Sequence, residues 1–116
     1  MKVELLKSKL QMVTVTEANV KYRGSITLDP DLITAGGFFP YEKVEVNNST
    51  RGTRINTYII PGKAGSGEVC LNGGAALHGK VGDKVHVLAY CSISRKEAPH
   101  HRPIIVHTDE NNKVIR

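Results

Sequence analysis

Gly24-Ser25 sets a hydroxyl directly after a residue whose backbone takes angles that others resist. Held in a strained turn, such a hydroxyl can attack the carbonyl that precedes it. A plain turn is the commoner use of a Gly-Ser pair, so the pair gains meaning only from its company. Thr53 to Ile60 reads as a strand. Alternation puts Arg54, Asn56 and Tyr58 on one face, with Ile55, Thr57 and Ile59 on the other. If the apolar face is buried, Arg54 and Tyr58 point together into a cleft or into water. Arg54 then offers a planar fork for a carboxylate, and Tyr58 offers a phenol able to donate a proton. A solvated strand face is the alternative. Asn72-Gly73-Gly74-Ala75-Ala76 opens a helix with almost no side chains. Its first amides could bind an anion, or its bareness could serve close packing. Lys9, on the first strand, reads by itself as a solvated lysine.

The elements that must position these residues are mostly strands. Val3, Leu5, Val13 and Val15 alternate with polar neighbours, a period of two. Thr16 to Asn19 reads as a turn or a single helical turn. Val20 and Tyr22 run extended into Gly24-Ser25, and Ile26 and Leu28 continue beyond it, so strands flank the candidate cleavage point. Asp29-Pro30 opens a short helix, with Asp29 as its cap and Pro30 in the first position, and Gly36-Gly37 ends it. Lys43 to Val46, Thr53 to Ile60, Val69 to Leu71 and Val85 to Cys91 are further strands. Asn72 to Gly79 is a second short helix. Arg95 to Pro103 is a polar loop, and Ile104 to His107 with Val114 to Arg116 form the arms of a terminal hairpin. A short motif recurs after each helix, as Glu42-Lys43-Val44-Glu45-Val46 and as Asp83-Lys84-Val85-His86-Val87. Two matched helix–strand units suggest a small barrel with pseudo-two-fold symmetry, and closing the sheet would remove its exposed edges.

The chain has 116 residues, of which 40% are hydrophobic, with 11 glycines and no tryptophan. That suits one compact domain, residues 1–116. No apolar run approaches the ~20 residues that cross a bilayer, and Met1 to Leu10 lacks the apolar stretch of a signal peptide. The two cysteines, Cys70 and Cys91, lie in apolar strand-like runs. They read as free thiols in a cytosolic protein and are too few for a metal site. The five histidines show no metal-binding spacing, and His100-His101 reads as surface loop. Sixteen basic residues against eleven acidic ones give a charge of +5. The basic residues are scattered and aromatics are only 5%, so no stacking platform for nucleic acid emerges. A field that draws in a small dianion fits the charge equally well.

Taken in order, several segments resemble the pyruvoyl-dependent aspartate 1-decarboxylase family. They are Lys9, Tyr22-x-Gly24-Ser25, Arg54 with Thr57-Tyr58, Asn72-Gly73, Ala75-Ala76 and Val81-Gly82-Asp83. The resemblance runs from Lys9 to about Pro103. It implies an all-β fold, a small six-stranded double-psi β-barrel with short helices and a C-terminal hairpin, assembled as a cytoplasmic homotetramer. It also implies self-cleavage into residues 1–24 and 25–116. Ser25 would attack the Gly24 carbonyl and end as a pyruvoyl group, the cofactor, with neither metal nor pyridoxal phosphate. That ketone would form a Schiff base with L-aspartate, and carbon dioxide would leave to give β-alanine for pantothenate and coenzyme A synthesis. Tyr58 would be the proton donor. Lys9 and Arg54 would hold carboxylates, and Thr57 would assist cleavage and line the substrate site. Asn72 would position the intermediate, Gly73, Gly74 and Ala75 would complete the pocket, and Tyr22 would flank it.

Two positions depart from the family pattern. Gln11 stands where histidine is usual, so no proton transfer carries over to it. Gly74 stands where alanine is common, which loosens the loop without removing its amides. Two other readings compete. A basic barrel that binds nucleic acid or protein without catalysis would stay intact and bind in a salt-dependent way. A hydrolase with Ser25 as N-terminal nucleophile would be cut yet keep a free amine. The residues leave open whether a maturation factor assists the cleavage. No membrane or nucleic-acid partner is expected.

Overall fold

Alternating apolar residues in short runs produce the nine strands that a computed structural model shows. It describes residues 1–22 and 24–115. The strands are β1 (Lys2–Thr14), β2 (Glu17–Asn19), β3 (Ser25–Leu28), β4 (Lys43–Asn48), β5 (Arg54–Pro61), β6 (Val69–Asn72), β7 (Lys84–Ser94), β8 (Ile104–Thr108) and β9 (Val114–Ile115). One α-helix, α1 (Pro30–Gly36), and 3-10 helices at Gly73–His78 and Ala98–His100 complete the described elements. The sheet order is β2-β6-β3-β5-β4-β7-β1-β8-β9. The ladder does not close, but Val15 and Thr16 draw its distant parts together. The Val15 amide donates to the Asp83 carbonyl and the Gly82 amide to that of Val15, while the Thr16 amide donates to Val69. The result is a small, barrel-like all-β fold with short helices and a C-terminal hairpin, as expected.

Its interior is aliphatic. Leu10, Val13, Ile26, Leu28, Leu32, Ile59, Val69, Val85 and Val87 are completely buried and belong to one core cluster. Val46 and Val87, the last residues of the two recurring motifs, sit opposite each other where β4 pairs with β7. A bulge between Leu10 and Val13 re-aims β1. There Met12 takes φ 54 and its amide donates to His86 Nδ1 at 3.2 Å.

Three local expectations are corrected. Glu17 to Asn19 form a strand rather than a turn, because β6 supplies a parallel partner that no local signal reveals. Val20 and Tyr22 do not run extended. The chain turns after β2, with the Lys21 amide bound to Asn19 Oδ1 at 3.1 Å. The Arg95 to Pro103 segment contains a short 3-10 helix. Residue 23, inside the Tyr22 to Ser25 motif, lies outside the described residues.

Asp29 shows how one side chain fixes several segments. As expected it caps α1, taking the Asp31 amide at 2.8 Å, and Gly37 closes the helix at φ 67. The same carboxylate accepts the Gly65 amide at 3.0 Å and the Gly67 amide at 2.8 Å. Burial alone would raise its pKa. The amides of Asp31, Gly67 and Gly65 and the charge of Lys113 outweigh burial and hold it below the ordinary value. A depressed carboxylate contributes stability above its unfolded value, about 3.9. That contribution is lost as the pH falls through the lower folded value. Asp29→Asn replaces one acceptor oxygen by a donor facing amide donors. We expect it to cost about 1–3 kcal/mol at neutral pH and to flatten the acid limb of a melting-temperature profile between pH 7 and pH 2.

Candidate active site

The antiparallel pairing of β3 with β6 sets Ser25 opposite Asn72. Asn72 immediately precedes the Gly73–His78 helix, a position where asparagine commonly caps. Its side chain makes no cap hydrogen bond. Instead Nδ2 donates to Ser25 Oγ at 2.9 Å and to Thr27 Oγ1 at 2.8 Å. Ser25 is completely buried and Asn72 is 3% exposed, so the bond to Ser25 forms away from bulk water, while the bond to Thr27 is partly buried.

Gly73 turns the chain directly over the Gly24 peptide. Its φ is +59, and a Cβ there would stand 2.6 Å from both the Gly24 nitrogen and the Tyr22 carbonyl oxygen. Glycine is therefore required for the close approach. The far end of the 3-10 helix is anchored by a polar cluster. Asn48 Nδ2 and Thr53 Oγ1 donate to the His78 carbonyl at 3.3 and 2.8 Å. Asp83 holds Asn48 at 2.9 Å and the Arg51 Nε at 2.5 Å.

The parallel register of β3 and β5 pairs Ile26 with Ile59. Just before that pair, Gly24 on one side and Thr57 and Tyr58 on the other come to the same cleft. A cleft of about 490 Å³ opens there, lined by Gly24, Thr57, Tyr58, Gly74 and Ala75, with Ile55, Asn56, Leu77 and His78. A buried hydroxyl thus adjoins a glycine that lines the cleft together with a phenol and bare backbone, groups with which acyl chemistry can be done.

Comparison with known proteins decides the family. Residues 1–115 match the family model described as aspartate decarboxylase. The chain belongs to the aspartate decarboxylase family. Proteins named aspartate 1-decarboxylase from Caldicellulosiruptor bescii and Caldicellulosiruptor saccharolyticus are 49% and 50% identical to it. These matches cover 98% and 100% of this chain and 89% and 91% of those proteins. One from Salinibacter ruber is 49% identical over 100% of this chain and 80% of its own length. Membership in the aspartate decarboxylase family bears out the expectation of a carboxy-lyase.

Within this decarboxylase fold the candidate residues divide into three groups. Gly24, Ser25, Thr57, Tyr58, Asn72, Gly73, Gly74 and Ala75 come together at the cleft or directly beneath it. Tyr22 lies on the neighbouring surface with Lys21, Tyr41, Tyr58 and Ile60. Lys9 and Arg54 do not line the cleft. Arg54 is mostly exposed, 3.6 Å from Glu45 and with Nε donating to Asn47 at 3.1 Å. Lys9 pairs in register with Leu88, Leu88 with Glu45, and Glu45 with Asn56. It thus shares the outer sheet face of Arg54 and Tyr58, but three inter-strand spacings from β5, roughly 14 Å. There its charge acts on His86, whose pKa is lowered first by burial and then by Lys9.

Sequence reasoning missed the surroundings of Asn72. Cys70 lies two residues before it on β6, on the same face, and touches both Asn72 and Glu17. The spacing was readable, but the approach of β2 was not. The second thiol, Cys91, is less buried. Among the described residues no helix is long and apolar enough to cross a membrane.

The two neighbouring glycines generate a paired prediction. Gly74 has open space where a Cβ would stand, so Gly74→Ala should be neutral or stabilising by about 0.4–1 kcal/mol. Gly73→Ala should destabilise by more than that, because it meets both strain and backbone. Thermal unfolding of the two variants beside the parent checks this.

Proposed function

We propose that this chain cuts itself between Gly24 and Ser25, and that the resulting pyruvoyl group serves the decarboxylation of L-aspartate to β-alanine and carbon dioxide. The observation that carries the reading is the buried Ser25 hydroxyl, fixed at 2.9 Å by Asn72 next to a Gly24 that lines the cleft with Thr57 and Tyr58. The surroundings fit a group made from Ser25 itself. The side chain is enclosed, and the missing Cβ at Gly73 leaves the Gly24 peptide room against the helix.

The steps of maturation balance. Ser25 Oγ adds to the Gly24 carbonyl carbon, the peptide C–N bond breaks, and an ester forms. Loss of the residue 25 Cα proton expels Oγ with Gly24 as its carboxylate. Water then displaces the nitrogen as ammonia, leaving a ketone at the new N-terminus. Thr57, which lines the cleft with Gly24, polarises the carbonyl under attack. Asn72 orients the attacking oxygen.

Once formed, the pyruvoyl group supplies a carbonyl that binds the substrate amine and accepts the electron pair freed as carbon dioxide leaves. The residues of the chain do the remaining work. Tyr58 returns a proton to carbon. Gly74 and Ala75 present backbone to the substrate. Arg54 and Lys9 hold carboxylates. Because Lys9 lies three strands from the cleft, a complete site draws on neighbouring copies, and we propose a homotetramer with its sites at subunit contacts. Neither metal nor pyridoxal phosphate enters this reading. The product belongs to pantothenate and coenzyme A synthesis in the cytoplasm.

Two experiments test it. Denaturing mass analysis of active protein should find two pieces, 1–24 and 25–116, with Ser25→Ala wholly uncut and Thr57→Val slowed or uncut. A single intact chain in fully active protein would overturn the proposal. Tyr58→Phe should still be cut, yet β-alanine formation should fall on the order of a hundredfold or more, the usual contribution of a placed general acid. If that variant stayed uncut, or were fully active, Tyr58 would not be the proton donor.

A further inference from the structure

Where β1 crosses β7, Leu10 pairs with Val87 and Val13 with Val85, so Gln11 and Met12 together stand opposite His86. Such a bulge leaves a backbone amide out of the ladder. His86 takes it, since the Met12 amide donates to Nδ1 at 3.2 Å. The bond fixes the ring. Because Nδ1 accepts, the proton of the neutral imidazole sits on Nε2. Burial and then the charge of Lys9 lower the pKa of His86, so the ring is neutral at neutral pH. Among the described residues nothing accepts the Nε2 proton.

We infer that His86 is a further substrate-binding residue, whose Nε2–H donates to a carboxylate held between Lys9 and Arg54. The inference rests on the reading given above, in which those two cations take the carboxylates of L-aspartate.

The sheet sets the imidazole between the two cations. His86 pairs with Asn47 on β4, and Asn47 pairs with Arg54 on β5. Arg54 Nε donates to Asn47 Oδ1 at 3.1 Å, which holds the guanidinium over β4, on the side toward His86. On the other side Lys9 pairs with Leu88, two residues along β7 from His86 and on the same face. Such a diagonal spans about 7–8 Å, within reach of a lysine side chain. Glu45, also paired with Leu88, is the acid of this stretch, and Arg54 lies 3.6 Å from it. Lys84 is turned away to Thr14, whose Oγ1 accepts from Nζ at 2.5 Å. A carboxylate has two oxygens and about four acceptor positions, so it can take an ammonium and an imidazole N–H together. Lys9 is a point charge on a flexible stem. The N–H of His86 has a direction, set by the Met12 bond, and it decides where the carboxylate rests.

The structural and binding duties of His86 use different nitrogens, and two variants separate them. His86→Asn keeps an acceptor near the place of Nδ1 for the Met12 amide but has no donor at the place of Nε2. His86→Gln carries an amide nitrogen out to the place of Nε2 and gives up the nearer acceptor. The measurement is β-alanine formation by the full-length, self-cut protein over a range of L-aspartate concentrations, with thermal unfolding alongside. His86→Asn should raise KM about tenfold, the effect of losing one hydrogen bond to a charged group, with kcat within about twofold of the parent. His86→Gln should bring KM back to within about threefold, although it melts at a lower temperature. Should His86→Asn fail to fold, Nτ-methylhistidine at position 86, which keeps Nδ1 and blocks Nε2, takes its place with the same expectation. A parental KM without the Nε2 donor would overturn the inference alone, as would equal increases in His86→Asn and His86→Gln. A parent chain that forms no β-alanine would overturn the functional reading and this inference with it.

Discussion

The Asn72 carboxamide donates to Ser25 and to Thr27, and both bonds cross from β6 to β3 where the sheet begins. A buried amide must find partners for its polar atoms or pay for their lost hydration. Asn72 finds them only if β3 holds its register and if Cys70 lies behind it. The arrangement also deprives the following 3-10 helix of an asparagine cap. That helix instead relies on Gly73 at its start and on Asn48 and Thr53 at its end.

Rigidity at the cleft therefore comes from hydrogen bonds that reach far along the chain. Asp83 ties the segment before β7 to Asn48 and Arg51. Burial would raise the pKa of its carboxyl. The Asn48 and Arg51 hydrogen bonds, the Lys80 amide and the Arg51 charge together hold it below its ordinary value. Asp29 performs the same service on the opposite side, between α1 and the loop at 63–67. Polar groups this well satisfied specify one geometry, where an aliphatic core alone would tolerate several. The core beneath them fixes which strands meet, and the polar contacts fix how their ends are aimed.

The outer face formed by β5, β4, β7 and β1 answers to a different constraint. Arg54, Asn56 and Tyr58 alternate outward while Ile59 turns inward and is fully buried. The face is laced with opposite charges, as in the approach of Arg54 to Glu45. Exposed pairs of this kind contribute little to stability. Their arrangement leaves the Arg54 guanidinium largely exposed.

The sequence by itself determined the strands other than β2, because period-two alternation needs no knowledge of partners. It also determined the ends of α1, since the Asp29 cap and the Gly36-Gly37 stop act within a few residues. The family was legible in the ordered motifs from Lys9 to Asp83, and so were Gly24, Thr57, Tyr58, Gly74 and Ala75 among the residues that meet at the cleft, but not the separation of Lys9 and Arg54 from it. Tertiary structure alone decided that Glu17 to Asn19 would be a strand, because a short polar segment becomes one only when β6 offers hydrogen-bond partners. It alone set Lys9 apart from Tyr58, for strand order is a property of the sheet and not of any window of sequence. It alone joined Glu17, Cys70 and Asn72 behind Ser25, because a register between strands some fifty residues apart in sequence is fixed by the packing of the whole core.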